Sequence, residues 1–531
     1  MSRSTQSMRT TDRIKSWVNG LRLRFINPAL PEMQLSPDSN QQNPLMVQFF
    51  TWEAQHPDMS WWKHFETEMP RLAELGFTQV WLPPPNKAMR KQGQGYDAYD
   101  LWDIGEFDQK GTISTRWGTK EELLQACSAA RQNNIGVIID AVLNHKLGAD
   151  RLEVCSAVRV DPMNRLRALD EEREIKGWTG FDFSGRQGKY SQMKWTHEHF
   201  SGLDWDELTQ TNGIYWISSD GHKGWSTRVD KELGNYDYLL GIDIDHRHPE
   251  VRHDLFSWGS WILDETGGSG FRLDAIKHID RSFLLEFIKR SRSLPNRERL
   301  FVVAECWSAN VQIILSYVRA FQGQAAFFDV PLHDNFHQAS KTGPSYDLRQ
   351  ILDNSLVAIR PGDAVTFVDN HDQQVGQSLE SWVDTNFKIQ AYTLILLRCD
   401  GFPCVFYGDL YPNQECFEQD TSVKLRQLLT IRKSFAHGPM KDYFEHRNCI
   451  GFVRMGNSGY PGCVVVISNK AATPESSISP IIRMNVGLDG RRTVFRSIFD
   501  TSRQIKIDGR GWGEFYCPCN SVDIWIKDKQ E

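Results

Sequence analysis

No hydrophobic stretch in the chain is long enough to cross a bilayer; the longest apolar run, near residues 394–397, stops at Arg398. The first 24 residues carry Arg3, Arg9, Arg13, Lys15, Arg22 and Arg24. They have no apolar centre and no small-residue cleavage site, so no export signal is expected. Closely spaced cysteines are scarce: of ten, only Cys517 and Cys519 stand together, and no His-rich partner follows, which excludes a zinc knuckle. Reduced thiols and a cytoplasmic location are therefore expected. A surplus of positive charge is missing too. The net charge of −6 argues against a nucleic-acid surface, so neither nucleic acid nor membrane is an expected partner.

What is present fits a soluble enzyme. A chain of 531 residues is too long for one core, so two or three domains are expected. Hydrophobic content of 40% and charged content of 24% are ordinary. The 18 Trp matter because Trp-rich clefts suit the flat apolar faces of sugar rings, although any single Trp is more often core packing.

Residues 1–42 are polar, with Gln, Ser, Asn and Pro clusters, and read as a loosely ordered extension. Within it Ile14, Trp17, Val18 and Leu21 recur at helical spacing and predict a short docking helix. A rhythm then begins. Apolar runs at 46–50, 79–82, 136–142, 270–273, 301–304, 326–328, 364–368 and 403–406 alternate with helical patterning at 61–75, 120–133, 251–265, 281–292 and 387–397. Eight buried strands alternating with helices predict a parallel sheet closed into a (β/α)8 barrel. Residues 146–250 break the rhythm and predict an inserted, mostly irregular β subdomain. The barrel is expected over 43–145 and 251–433, and an antiparallel β-sandwich over 434–531.

The ends of the apolar runs carry the chemistry. Gly136-Val-Ile-Ile-Asp140, Gly270-Phe-Arg-Leu-Asp274, Phe301-Val-Val-Ala-Glu305 and Val365-Thr-Phe-Val-Asp369 each finish on an acid, the last continuing to Asn370, His371 and Asp372. A carboxylate after a buried strand is costly unless it emerges at a solvated mouth or meets partners. Parallel strands share one C-terminal face, where barrel active sites lie, so these acids converge. Helix capping accounts for one such Asp but poorly for four flanked by Arg272, His145 and His371. Two convergent carboxyls are what glycoside cleavage requires: one protonates the leaving oxygen, and the other meets the oxocarbenium-like centre. Arg272 shares a strand face with Asp274 and can hold it ionised.

Five stretches together resemble the α-amylase family of glycoside hydrolases, most nearly the bacterial liquefying type and its intracellular fungal relatives. They are Gly95-Tyr-Asp-Ala-Tyr-Asp100, Asp140-Ala-Val-Leu-Asn-His145, Gly270-Phe-Arg-Leu-Asp-Ala-Ile-Lys-His278, Ala304-Glu-Cys-Trp307 and Phe367-Val-Asp-Asn-His-Asp372. The resemblance implies that Asp274 is the nucleophile, Glu305 the general acid/base, and Asp372 the group gripping the distorted sugar. It implies that His145 and His371 hydrogen-bond that sugar, that Tyr96 stacks beneath it, and that Lys277, His278 and Trp307 line the leaving-group side. Asp140 would shape the barrel mouth.

The resemblance also implies one structural Ca2+, held by Asn144, Asp237, Asp243 and the backbone carbonyl of His278, all oxygen donors of the kind that ion takes. Ser201, Gly224 and Arg247 stand where heat-stable relatives place further acids, which leaves Asp245 largely alone. The implied substrate is an α-glucan polysaccharide or maltooligosaccharide and the implied state a monomer. Two other readings keep the same fold: a transglycosylase passing the glucosyl intermediate to a sugar hydroxyl, and an inactive binding subunit, which the presence of all three acids disfavours.

Overall fold

The computed structural model describes residues 29–38, 42–219, 222–474 and 476–528. Eight short parallel strands, β1 (Met46–Gln48), β2 (Gln79–Trp81), β3 (Gly136–Ala141), β4 (Gly270–Leu273), β5 (Phe301–Ala304), β6 (Ala326–Phe328), β7 (Ala364–Phe367) and β8 (Phe402–Phe406), close into a barrel. Every strand residue is buried, because barrel filling lies on one face and helices on the other. Gly270 is needed where β4 meets β5: a Cβ there would lie 2.3 Å from the Phe301 carbonyl oxygen.

A helix follows each strand: α1 (Trp61–Leu75), α2 (Lys120–Gln132), α3 (Pro249–Thr266), α4 (Arg281–Arg292), α5 (Val311–Phe321), α6 (Val330–Thr342), α7 (Thr385–Leu397) and α8 (Gln419–Phe435). Their starts are written locally. Ser60 accepts from the Lys63 N–H, Thr119 and Glu122 form a capping box, and Asp280 accepts from Ser282 and Phe283. The helices α5, α6 and α8 lie outside the helical patterning read from the sequence. In α5 (VQIILSYVRAF) β-branched and aromatic residues crowd together, and that run reads equally as a strand.

The insert is a β subdomain in which loops outweigh strands, as expected. Its strands Arg151–Asp161, Asn164–Ala168, Arg173–Gly180, Phe200–Asp206 and Thr211–Ser219 form an antiparallel sheet, joined through Ile242–Ile244 to His145–Lys146 at the barrel rim. The alternation was muted because inward positions carry small residues such as Cys155 and Ala157. One expectation needs correction: the extension is not loose all the way to residue 42. Ala29, Leu30 and Met33 are buried, the Ala29 N–H donates to Asp363 Oδ1 at 2.9 Å, and Gln79 Nε2 donates to the Gln34 carbonyl at 2.9 Å. The helix expected around Ile14–Leu21 lies outside the described residues.

The C-terminal part is antiparallel. Six strands in the order Met440–His446, Cys449–Arg454, Cys463–Ser468, Val522–Lys527, Val494–Ser497 and Gln504–Lys506 face a pair, Ile482–Asn485 and Trp512–Phe515, across a core containing Met484, Phe495, Phe515 and Trp525. The other face, through Phe452, Val465 and Ile524, joins the barrel core. No helix among the described residues is long and apolar enough to cross a membrane.

Candidate active site

Arg272 and Asp274 sit two residues apart on and just after β4, so both point into the barrel mouth. Arg272 is fully buried, with its guanidinium 4.9 Å from the Trp81 ring. Its Nη1 donates to Asp140 Oδ1 at 2.8 Å and to Asp274 Oδ1 at 2.6 Å, and its Nη2 donates to Glu305 Oε2. The register of β3 against β4 pairs Asp140 with Arg272, which explains the first contact. Asp140 also accepts from Trp81 Nε1 at 2.9 Å and the Tyr96 hydroxyl at 2.7 Å, so its oxygens are spent on shaping the mouth. Ala275 follows at φ 47°, a left-handed conformation costing on the order of 1 kcal/mol in a non-glycine residue. That turn aims its N–H at Glu305 Oε2, 3.2 Å away.

Asp372 arrives from the loop after β7, with its N–H held by Asn370 Oδ1 at 2.7 Å and its Oδ2 3.6 Å from His371 Nε2. Three buried acids thus share one guanidinium, with the half-buried Asp372 close enough to feel their charge. Burial and mutual repulsion push Asp274 up to about 6 against the pull of Arg272, raise Glu305, and lift Asp372 well above the ordinary carboxylate range. A site with one cation and several crowded carboxyls holds some ionised and others protonated, which suits acid/base work.

The two histidines are neutral. Burial lowers His145 to about 4 and holds His371 well below its usual value. Gln48 Nε2 donates to His371 Nδ1 at 3.0 Å, which puts the His371 proton on Nε2, facing Asp372. His145 donates through Nε2 to the Tyr96 carbonyl at 2.8 Å, leaving Nδ1 as a buried acceptor without a protein partner. Above them Tyr96 lies 12° from parallel to His371, and Trp52 lies 3° from parallel to Tyr96 at a centroid distance of 5.9 Å. Trp52 and Gln48 escaped the sequence reading; a Trp just past a strand end has no signal separating a ledge from core packing.

Lys277 donates to the Trp307 carbonyl at 3.2 Å and pairs with Glu232, another residue the sequence reading missed. His278 donates through Nδ1 to the Tyr236 carbonyl at 2.7 Å, and its ring, lowered by burial to about 3, packs 4.2 Å from that of Tyr236. Trp307 is half-buried against His333 and Phe367.

The expected calcium ligands lie between barrel and insert. Asp243 stands on the strand Ile242–Ile244, paired with His145. Asn144 Nδ2 is 3.4 Å from Asp243 Oδ1, and Ser201 donates to the other oxygen. Asn144 Oδ1 and Asp237 Oδ1 are buried without a hydrogen-bonding partner. Burial pushes Asp237 up to about 8, with Asp245 and Asp280 adding to the shift, and raises Asp243 well above its usual range, with Asp237 and Asp245 adding to that one. Orphaned oxygens among buried carboxylates are the donor set of a hard cation. Asp245 is paired with a cation. Arg247 forks onto it at 2.7 and 3.1 Å and donates to the Gly224 carbonyl at 2.7 Å.

A second cluster, His199, His248 and Glu250, brings three ligand atoms within 4.8 Å of one another. It does not suit a metal. The Thr196 N–H donates to His199 Nδ1 at 2.9 Å and the Glu250 N–H to His248 Nδ1 at 3.3 Å, so each neutral ring carries its proton on Nε2.

Acids from separate strand ends gathered on one arginine, beneath an aromatic ledge at the C-terminal mouth of a parallel barrel, define a carbohydrate-active barrel enzyme. The alpha-amylase catalytic-domain model matches residues 62–467. The chain belongs to the α-amylase family and is a glycoside hydrolase. It is 41% identical over 489 residues to an alpha-amylase of Bacillus licheniformis, covering 91% of this chain and 94% of that protein. It is 39% identical over 505 residues to the cytoplasmic alpha-amylase of Escherichia coli strain K12, covering 91% and 99%. The solved alpha-amylase of Geobacillus thermoleovorans, complexed with acarbose, superposes with a TM-score of 0.60 at 18% identity over 93% of this chain and 100% of that one, a likeness of fold.

Proposed function

We propose that the protein is a retaining, endo-acting hydrolase of α-1,4-glucosidic bonds in starch- or glycogen-type α-glucans. One observation carries this reading: Arg272 holds Asp274 and Glu305 side by side on the two nitrogens of one guanidinium, which suits attack by one carboxylate while the other protonates the leaving group. Asp274 attacks the anomeric carbon as Glu305 gives its proton to the departing glycosidic oxygen, leaving a glucosyl ester on Asp274. Water then loses a proton to Glu305 and bonds to the same carbon, breaking the ester and freeing Asp274. Asp372, His145 and His371 hold hydroxyls of the distorted sugar, with Tyr96 beneath it. Lys277, His278 and Trp307 line the leaving-group side.

The donor set fits one structural Ca2+. Asn144, Asp237, Asp243 and the His278 carbonyl would hold it, and its charge would offset carboxylates that burial otherwise disfavours. Because His278 follows Lys277 directly, that ion would also brace the leaving-group wall. We place the enzyme in the cytoplasm; a relative carries that location in its name, and the ten cysteines form no disulfide.

The test is product analysis on maltoheptaose. Shorter chains released first as the α-anomer fit hydrolysis with retention. A β-anomer as first product would rule out the double displacement, and products longer than seven units would reassign the enzyme to glucosyl transfer.

A further inference from the structure

The two residues that flank Trp52 both bond to a carboxylate 363 residues away from it in sequence, that of Glu415. The Thr51 hydroxyl donates to Glu415, the Glu53 N–H donates to Glu415 Oε2 at 2.9 Å, and the Trp52 N–H donates to Gln374 Oε1 at 2.9 Å. Gln374 in turn donates through Nε2 to the same Glu415 oxygen at 2.9 Å. Glu415 is itself fixed, because its N–H donates to Asn413 Oδ1 at 2.9 Å and Asn413 donates to the carbonyls of Gly408 and Tyr411, each at 2.9 Å. On the far side Glu53 accepts from Arg116 Nη2 at 2.9 Å, and Arg116 also donates at 2.7 Å to the Gln92 carbonyl, on the loop leading to Tyr96.

Three donors therefore converge on one acceptor-only group. A carboxylate accepts all of them, whereas an amide would turn its own N–H bonds against Gln374 or Glu53. The outcome is geometric: Trp52 lies 3° from the plane of Tyr96 and 11° from that of His371. Flat apolar sugar faces need such alignment to stay in contact with successive rings.

We propose that Glu415 is a positioning residue for this ledge. Its carboxylate sets the Thr51–Trp52–Glu53 segment so that Trp52 carries the Tyr96 surface onward under a further glucose unit. The proposal rests on the α-glucan reading above. It assigns Glu415 to holding long chains and not to breaking the bond.

The experiment compares wild type, Glu415→Ala, Glu415→Gln, Trp52→Ala and the Glu415→Ala/Trp52→Ala double variant on maltoheptaose. Glu415→Ala should raise KM about tenfold, the scale of a lost aromatic contact, with kcat within about twofold of wild type. Trp52→Ala should do the same, Glu415→Gln should follow Glu415→Ala, and the double variant should be no worse than the poorer single one. An unchanged KM, a loss confined to kcat, or single effects that multiply would overturn the proposal. Quenching of tryptophan fluorescence by maltoheptaose separates the two readings. If the wild type turns over no α-glucan, weaker quenching in Glu415→Ala still supports the positioning role, and unchanged quenching ends it.

Discussion

Arg272 and Asp274 stand two residues apart and share a 2.6 Å hydrogen bond from Nη1 to Oδ1, made inside the barrel with the arginine wholly buried. The same guanidinium bonds Asp140 and Glu305, so it is the counter-charge for three acids at once. Arg272→Ala would leave them repelling one another without solvent. Removing one partner of a buried ion pair costs about 3–5 kcal/mol, and loss of the orienting fork should cut kcat/KM by about a thousandfold. Arg272→Lys keeps the charge but not the fork, and should fall between wild type and Arg272→Ala in both melting and kinetics.

The pH dependence follows from Asp274, pushed up to about 6 chiefly by burial. Cleavage needs its ionised form, so kcat/KM should fall as pH drops below about 6. Stability runs the other way. A carboxyl whose folded value is raised above its unfolded one contributes stability that is present at low pH and lost as pH rises through the folded value. Asp274→Asn removes that titration. It should abolish turnover of maltoheptaose yet raise the melting temperature relative to wild type, and by more at pH 8 than at pH 5. An equal shift at both values would show that the charge on Asp274 costs the fold nothing.

Calcium removal should act through the buried oxygens of Asn144, Asp237 and Asp243. A ligand at a hundredfold excess over its dissociation constant stabilises by about 2.7 kcal/mol, so chelation should lower the melting temperature by about two to three degrees in a chain of this length. In Asp237→Asn the shift between chelator and added Ca2+ should shrink most of the way to zero. Wild-type melting that ignores both chelator and Ca2+ would count against an ion there.

The acids were legible because each ends an apolar run, and strand periodicity places Arg272 on the face of Asp274 before any fold is known. The barrel followed from eight such runs, although α5 hid behind β-branched residues and the insert behind small ones. What could not be read was contact between distant segments. Nothing local to Glu415 announces Trp52, and nothing near Arg247 announces its fork onto Asp245; both pairings exist only once loops from different parts of the chain meet. Glu232 became visible in the same way, through Lys277.

Lys388 offers a test of how the barrel holds the loop that carries Asp372. On α7 its Nζ lies 3.0 Å from Asp369 Oδ2 and 2.8 Å from Asp409 Oδ1, and 3.2 Å from the centre of the Trp382 ring. All three charged groups are buried. Asp369 leads directly into Asn370, His371 and Asp372, and burial already pushes it up to about 7 while Lys388 pulls it down. In Lys388→Met the pull disappears and Asp369 rises further, so the folded protein holds a proton that the unfolded chain releases near pH 4. Because wild-type Asp369 itself titrates at about 7, the variant should be nearly as stable as wild type at pH 5 and weaker through this linkage by up to about 1.4 kcal/mol at pH 8. Adding Asp369→Asn should recover much of that loss, since an amide has no charge to strand. Urea unfolding of the three proteins at both pH values measures it. A deficit independent of pH, or no recovery in the double variant, would mean that Lys388 acts through packing against Trp382 and not through the acids.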